Sequence, residues 1–517
     1  MDHQTLTMKT VASLRVLARE NGIRIPAGSL KGQIIEIIEK SIAQKMKENT
    51  KDSAQTELNK TEENTDKTHI TNEAGTQNDA SPAVCLNDES LSHSQPEEKG
   101  ELPLIKRAGL FYGNEGASLS HVYGKTGIAG RDRRFIEGKK AGGILELQAE
   151  GFGFLRKENF LPGRGDIYVS AQHIRRFGLR SGDYVEGTVR PQREMDKYEG
   201  LSYVSFVNGS APSAIIRRPK FDALTPQYPT KRIRLETRGE KSDISLRFMD
   251  LIAPIGKGQR GLVVSPPKAG KTTLLKLIAQ AIKKNEKDIN LIMLLIDERP
   301  EEVTDIKRAI DGECVYSTFD ETPENHVRLS EMTLERARRL TEMGKDVVIL
   351  MDSVTRLARA YNLVIPPTGR SLSGGLDPGA LHKPKRFFGS ARAIENGGSL
   401  TIIATALVET GSRMDEIIYE EFKGTGNMEV HLDRKLSEKR VFPALDLLKS
   451  GTRREDLLLT ENEQKCALSI RKLISARTGA ETNEQLISLM EKTKDNEEFI
   501  SKMKNWVSAW QKEGYYL

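Results

Sequence analysis

Apolar and polar positions change their period several times along this chain, and each change predicts a different kind of structure. Between Thr7 and Gln44 the apolar residues follow helical spacing. Val11, Leu14, Leu17 and Ala18 share one face, and Ile34, Ile35, Ile37 and Ile38 another. Gly22 to Gly28, with Pro26, breaks the two apart, which predicts a helical hairpin module over residues 1–44. From 45 to about 100 polar and charged residues dominate, and the first Phe, Trp or Tyr of the chain is Phe111. Such a stretch buries too little apolar surface to offset its ordering entropy. With the basic, Gly-rich stretch that follows, residues 45–140 read as a disordered insertion, either a solvated tether or a weak nucleic-acid contact.

Residues 141–212 switch to a period of two. Leu145, Leu147, Ala149, Gly151, Gly153 and Leu155 alternate with Glu146, Gln148, Glu150, Phe152, Phe154 and Arg156. Taken as one strand of a small barrel, the second set faces water and offers two rings as a stacking platform for unpaired bases. The alternative is a bulge at Gly151 or Gly153 that returns both rings to the core. Tyr168 and Tyr198 recur downstream among basic residues, which favours the platform. After a connector over 213–240, residues 241–517 alternate short apolar runs with helical patterns. The runs Gly261–Val264, Leu291–Ile296, Val347–Met351 and Leu400–Leu407 predict a mainly parallel sheet, with ligands at the carboxyl ends of its strands.

Bulk properties narrow the class only slightly. A length of 517 residues demands several domains, and a net charge of +6 names no nucleic-acid partner by itself. Three dispersed cysteines (Cys85, Cys314, Cys466) fit neither a disulfide framework nor a zinc site. No apolar run is long enough to span a bilayer, and the first residues lack the order of a signal peptide, so a cytoplasmic protein without a membrane partner is expected.

The chemistry concentrates in the last region. Ser265-Pro-Pro-Lys-Ala-Gly-Lys271-Thr272 lies between a predicted strand and a predicted helix, which is the context a phosphate-binding P-loop needs. Backbone N–H groups at the helix start converge on an anion, Lys271 supplies a cation, and the Thr272 hydroxyl can ligate Mg²⁺. Ser265 stands where that motif usually opens with Gly. Two further apolar strands end in carboxylates: Glu298, suited to polarise an attacking water, and Asp352, suited to the metal. The Gly- and hydroxyl-rich loops 367–375 and 421–427 each carry one central cation and suit a moving grip on a polyanion.

Together these strings resemble the Rho family of bacterial transcription termination factors, over nearly all of 142–456. Carrying strings are Gly151–Arg156, Gly256–Gly261, Pro266–Thr272, Asp297–Val303, Asp352–Tyr361 and Glu420–Met428. The resemblance implies a multidomain α/β protein: the N-terminal helical module, an OB or cold-shock-like RNA-binding barrel, and a RecA-like P-loop ATPase domain. It implies a homohexamer that hydrolyses ATP with Mg²⁺ when RNA is bound, translocates 5′ to 3′ as a helicase on the nascent transcript, and acts on the RNA polymerase transcription complex. Nucleotide contacts would fall on Lys268, Ala269, Gly270, Lys271, Thr272, Thr273 and Arg299, and on Gly256, Lys257, Gly258, Gln259, Arg260 and Gly261. Glu298 would be the catalytic base, Lys271 a catalytic cation, Asp352 with Thr272 the Mg²⁺ side, and Arg453 an arginine finger acting in trans, with Arg440 as its companion. The primary RNA site would comprise Gly151, Phe152, Gly153, Phe154, Leu155, Arg156, Asp166, Ile167, Tyr168, Asp196, Lys197 and Tyr198. A secondary site lining the pore would comprise Arg370, Ser371, Leu372, Ser373, Gly374, Gly375 and Lys423, with Arg370 where the family has Lys. A rotary ATP-synthase-type subunit and a non-catalytic RNA-binding protein are the rival readings. The first has no use for Phe152 and Phe154, and the second none for Glu298.

Overall fold

The computed structural model describes residues 14, 18, 23, 29, 31–37, 40, 139–192, 196–237, 239, 242–476 and 480–512. Of the predicted insertion 45–140, residues 45–138 lie outside them, as do the final tyrosines, while Lys139 and Lys140 already belong to a strand. The chain divides into two compact units, 1–125 and 126–517. In the first, residues 31–37 are helical, and Leu14, Ala18, Ile34 and Ile35 bury one another against Ile23.

The second unit opens with a closed five-stranded barrel: β1 (Lys139–Leu147), β2 (Gly153–Arg156), β3 (Ile167–Val169), β4 (Tyr184–Arg190) and β5 (Glu199–Val207). A short helix, α1 (Ala171–Phe177), joins β3 to β4. Spatial order is β1-β2-β3-β5-β4, antiparallel except where β3 meets β5. The alternating residues Leu145, Leu155, Ile167, Val169, Val185, Val189 and Leu201 fill its core. The single strand predicted from Leu145 to Arg156 is instead a hairpin. The chain turns at 148–152, where Gln148 and Phe152 pair and Gly151 takes φ 89°, so Leu145 and Leu155 become cross-strand partners.

The remainder is a mostly parallel sheet between helices. Its main path comprises β6 (Arg260–Ser265), β7 (Asn290–Glu298), β8 (Glu313–Thr318), β9 (Asp346–Asp352), β10 (Ser399–Leu407), β11 (Met428–Leu432) and β12 (Leu445–Thr452), ordered β8-β7-β9-β10-β6-β11-β12, with the short strands Arg392–Ile394 and Pro226–Gln227 added off β10. Only the last pairing in this order, β11 with β12, is antiparallel. Continuous apolar runs make β7, β9 and β10 buried on both faces, as central parallel strands must be. The helices that frame the sites are α2 (Lys271–Asn285), α3 (Pro300–Ala309), α4 (Pro323–Glu342), α5 (Val354–Val364) and α6 (Arg413–Lys423). Three more, α7 (Glu461–Ala476), α8 (Ala480–Glu491) and α9 (Asn496–Lys512), close the chain, with Trp506 packed edge-on against buried Phe499.

Barrel and sheet meet along α4. A Cβ on Gly182 would lie 2.3 Å from the Glu335 backbone, so only glycine allows that approach. Beside it Arg218 donates to both oxygens of buried Asp183 at 2.6 Å, and Arg180 reaches Glu342 at 3.1 Å. Asn208 links Asp183 to Arg336.

Candidate nucleotide and nucleic-acid sites

β6 ends at Ser265, and the chain turns through two left-handed residues, Lys268 (φ 64°) and Gly270 (φ 94°), before α2 begins. Glycine tolerates this conformation, and the resulting turn leaves the first N–H groups of α2 without intrahelical partners. Lys271 extends from that turn to the ends of two neighbouring strands. Its ammonium lies 2.7 Å from Asp352 Oδ2 and 3.8 Å from Glu298 Oε2. Thr272 Oγ1 lies 3.4 Å from Asp352 Oδ2, and Thr405 on β10 donates to Asp352 Oδ1 at 2.7 Å.

Asp352 is fully buried and Glu298 nearly so, and Glu298 Oε2 has no hydrogen-bond partner. Loss of solvent, reinforced by the facing Asp352 charge, pushes the Glu298 carboxyl up to about 7. Arg356, in the first turn of α5, places its guanidinium 3.3 Å from Asp297 Oδ2 and 4.0 Å from Glu298 Oε2. A cation thus stands among two carboxylates and a hydroxyl, a set of hard oxygens that also fits Mg²⁺. Arg299 caps α3 at the same edge, exposed and 3.6 Å from Glu302. Lys268 and Thr273 are exposed there, while Ala269 is buried. Ser437 donates to the Lys268 carbonyl at 3.2 Å, which brings exposed Arg440 to the P-loop side.

The structure separates other residues from this cluster. Gly256 to Gly261 lie at the amino end of β6, not at the P-loop that follows its carboxyl end. Arg260 and Gly261 are the first of the six residues of β6, which spans about 17 Å from that end to the P-loop end. Gln259 is buried and donates to Asn427 Oδ1 at 2.6 Å, Gly258 donates to Thr401 at 2.7 Å, and Arg260 donates to the carbonyls of Thr425 and Ala391. Lys257 pairs with Asp346 at 3.0 Å. Arg453 joins this amino edge through its N–H to the Asn427 carbonyl at 2.8 Å. Its exposed side chain lines an open cleft of about 660 Å³ with Arg454, Gln464 and Leu468. Arg440 and Arg453 are therefore not companions within one chain, because antiparallel β12 carries the backbone from one edge to the other.

The two Gly-rich loops lie at opposite ends of α6. Gly374 sits against Met414 in its first turn, and Lys423 ends it, 3.8 Å from Glu420. Arg370, Ser371, Ser373, Gly374 and Gly375 are exposed, and Leu372 is half-buried through a bridge to Leu376.

On the barrel, Phe152, Phe154, Tyr168 and Tyr198 form one half-exposed aromatic cluster. Phe154 stands at its centre, 5.7 Å from Phe152, 6.1 Å from Tyr168 and 4.9 Å from Tyr198 between ring centroids. Lys197 lies over the Tyr198 ring, and Asp196 pairs with Arg190 at 3.6 Å. Leu155 and Ile167 point into the core, and Gly153 packs on the Glu146 backbone. Arg156 is not on the water face. It is buried beneath Phe154, 4.9 Å from the ring, and bonded to Glu146 and Asp166. Thr405, Arg356 and Glu146 have no site role in the sequence pattern. Thr405 is a hydroxyl within the apolar run of β10, Arg356 lies within Asp352–Tyr361, and Glu146, expected to face water, is largely buried.

Residues 141–213 match the RNA-binding domain model of the Rho termination factor, and 245–452 match the nucleotide-binding domain of the ATP synthase alpha/beta family. Transcription termination factor Rho of Bacillus subtilis strain 168 is 58% identical over 377 residues, covering 73% of this chain and 86% of that protein. The chain belongs to the Rho family. Rho of Haemophilus influenzae is 54% identical over 366 residues, 70% of this chain and 87% of its own length. Among solved structures, a type III secretion system ATPase aligns at 23% identity with a TM-score of 0.48, over 59% of this chain and 92% of that one. A Rho-type RNA-binding barrel thus precedes an ATPase-type nucleotide-binding domain. Among the described residues, no helix is long and apolar enough to cross a membrane.

Proposed function

We propose that this protein terminates transcription as a homohexameric, RNA-dependent ATPase that moves 5′ to 3′ along nascent single-stranded RNA as a helicase and releases it from the RNA polymerase complex. One observation carries the reading: Lys271, Glu298 and Asp352 lie at the carboxyl edge of the sheet, while Arg453 lies at its amino edge. A head-to-tail contact between copies sets one edge against the other, and such contacts form a ring where the rotation closes.

In that ring the N–H groups after Gly270 and the Lys271 ammonium bind the ATP phosphates. Thr272 and Asp352 would hold Mg²⁺, which neutralises charge on the phosphate oxygens. Glu298, poised near neutrality, takes the proton of the attacking water. The neighbouring copy's Arg453 stabilises charge on the departing γ-phosphoryl group, and Arg299 and Arg440 flank the nucleotide. RNA bases stack on Phe152, Phe154, Tyr168 and Tyr198, and the 370–375 loop and Lys423 grip the backbone in the pore. Ordering those loops seats Arg453, so hydrolysis waits for RNA.

The test is steady-state ATP hydrolysis with and without cytidine-rich single-stranded RNA, with Glu298→Gln as the blank. Stimulation that vanishes in the blank is expected. Hydrolysis indifferent to RNA refutes the coupling.

A further inference from the structure

The aromatic platform rests on a charged layer that the barrel does not complete alone. Glu146 on β1 accepts the Arg156 Nε–H at 2.6 Å. It also accepts two hydrogen bonds from Arg328, on α4 of the ATPase domain, both at 2.8 Å. Arg156 donates its Nη1–H to Asp166, which in turn accepts the Gly163 N–H at 2.8 Å. Directly above, the Phe154 ring lies 4.9 Å from the Arg156 guanidinium. Arg156, Asp166 and Glu146 are largely removed from water, and Arg328 is about one-third exposed.

The charges in this layer balance: two guanidiniums against two carboxylates. Without Arg328, an excess carboxylate would lie beneath a surface that must receive a polyanion. Glu146 would also turn its second oxygen on Arg156 and draw it from Asp166, tilting the cation under Phe154. We propose that Arg328 is a positioning residue of the RNA platform, supplied by the ATPase domain, which sets the barrel's affinity for single-stranded RNA through Glu146 and Arg156 without touching RNA itself. Because Arg328 sits on α4, movements of that helix reach the platform. Binding free energies are reciprocal, so RNA on the platform biases α4 in turn. A second tie runs beside it: the Asn159 side chain pairs with both the N–H and the carbonyl of Tyr316 on β8. Near the start of α4, buried His326 bonds Ser317 at the end of β8, where β8 runs beside Glu298 on β7.

The inference rests on reading the barrel as an RNA site, and the experiment separates the two. Full-length wild type, Arg328→Ala, the double variant Glu146→Gln/Arg328→Ala, and Phe154→Ala are titrated with a fluorescein-labelled cytidine oligonucleotide, reading anisotropy at several salt concentrations. Arg328→Ala is expected to bind about tenfold more weakly. Its dependence of log K on log salt keeps the wild-type slope, because no phosphate contact is lost. The double variant, with charge balance restored, recovers most of the loss. Wild-type binding by Arg328→Ala, with Phe154→Ala impaired, overturns the inference and leaves the platform standing. A loss that the double variant fails to recover, with a salt slope shallower by about one charge, also overturns it, because Arg328 then contacts phosphate directly. Wild-type binding by Phe154→Ala removes the platform reading and the inference together.

Discussion

Glu298 is shut away from solvent and faces the Asp352 charge, so its carboxyl holds a proton up to about 7 instead of losing it near 4.5. Two consequences follow for this residue. As the proposed base, Glu298 must be deprotonated to act, so kcat/KM for ATP hydrolysis should climb with pH through an inflection near 7, and a profile already flat from about pH 5 would contradict this. The folded chain also keeps a proton that the unfolded chain has released between 4.5 and about 7, so this group's contribution to stability declines as pH rises through that window. Glu298→Gln should therefore stabilise the nucleotide-free protein at about pH 8, by on the order of 1 kcal/mol, and change little near pH 5. Thermal unfolding at the two pH values measures the difference. Thr405 acts on Asp352 by a hydrogen bond, and Arg356 acts on Glu298 by its charge.

Among elements, α4 does most to join the chain's two chemistries. One end carries His326 and Arg328, and the other carries Arg336, Arg339 and Glu342 against the barrel. Arg218 supplies the buried cation there, bonded twice to Asp183 and 3.3 Å from Glu342. Removing it leaves Asp183 without its charged partner in a site that water does not reach, while Glu342 keeps Arg180 and Arg339. Arg218→Ala should cost about 3–5 kcal/mol of stability, as expected when one partner of a buried ion pair is lost. Denaturant unfolding checks it, and a cost within a few tenths of a kcal/mol would show the contact to be dispensable.

At the scale of the molecule, one chain carries the phosphate cradle on one edge of its sheet and Arg453 on the other, about 17 Å apart along β6. In the proposed ring the two halves therefore come from different copies. Mixing makes this measurable. In the proposed ring, Lys271→Ala and Arg453→Ala proteins are each expected to be inactive alone and to combine randomly when subunits exchange. About one quarter of the contacts in an equal mixture then pair an intact cradle with an intact arginine, and RNA-stimulated hydrolysis should recover towards that fraction. No recovery despite demonstrated subunit exchange would place Arg453 in its own chain's site or outside catalysis.

Features carried by neighbours along the chain are legible in the sequence alone. The period of two marks the barrel strands, and the runs ending at Glu298 and Asp352 mark parallel strands whose last residues share an edge. Lys271 and Thr272 follow β6 directly, so their position at that edge needs only the order of strand, turn and helix. What depends on direction and return path is not legible there. Gly256 to Gly261 lead into and open the same strand and therefore lie at its far end, while antiparallel β12 carries Arg453 away from Arg440. The turn at Gly151 folds one expected strand into two and buries Arg156, leaving Phe152 and Phe154 half-exposed. Arg328 meets Glu146 across 182 residues, a pairing that no spacing in the chain encodes. Periodicity and turn chemistry are local properties and can be read from the sequence. Which distant charges share a buried layer is decided only when the sheet, its helices and the barrel pack.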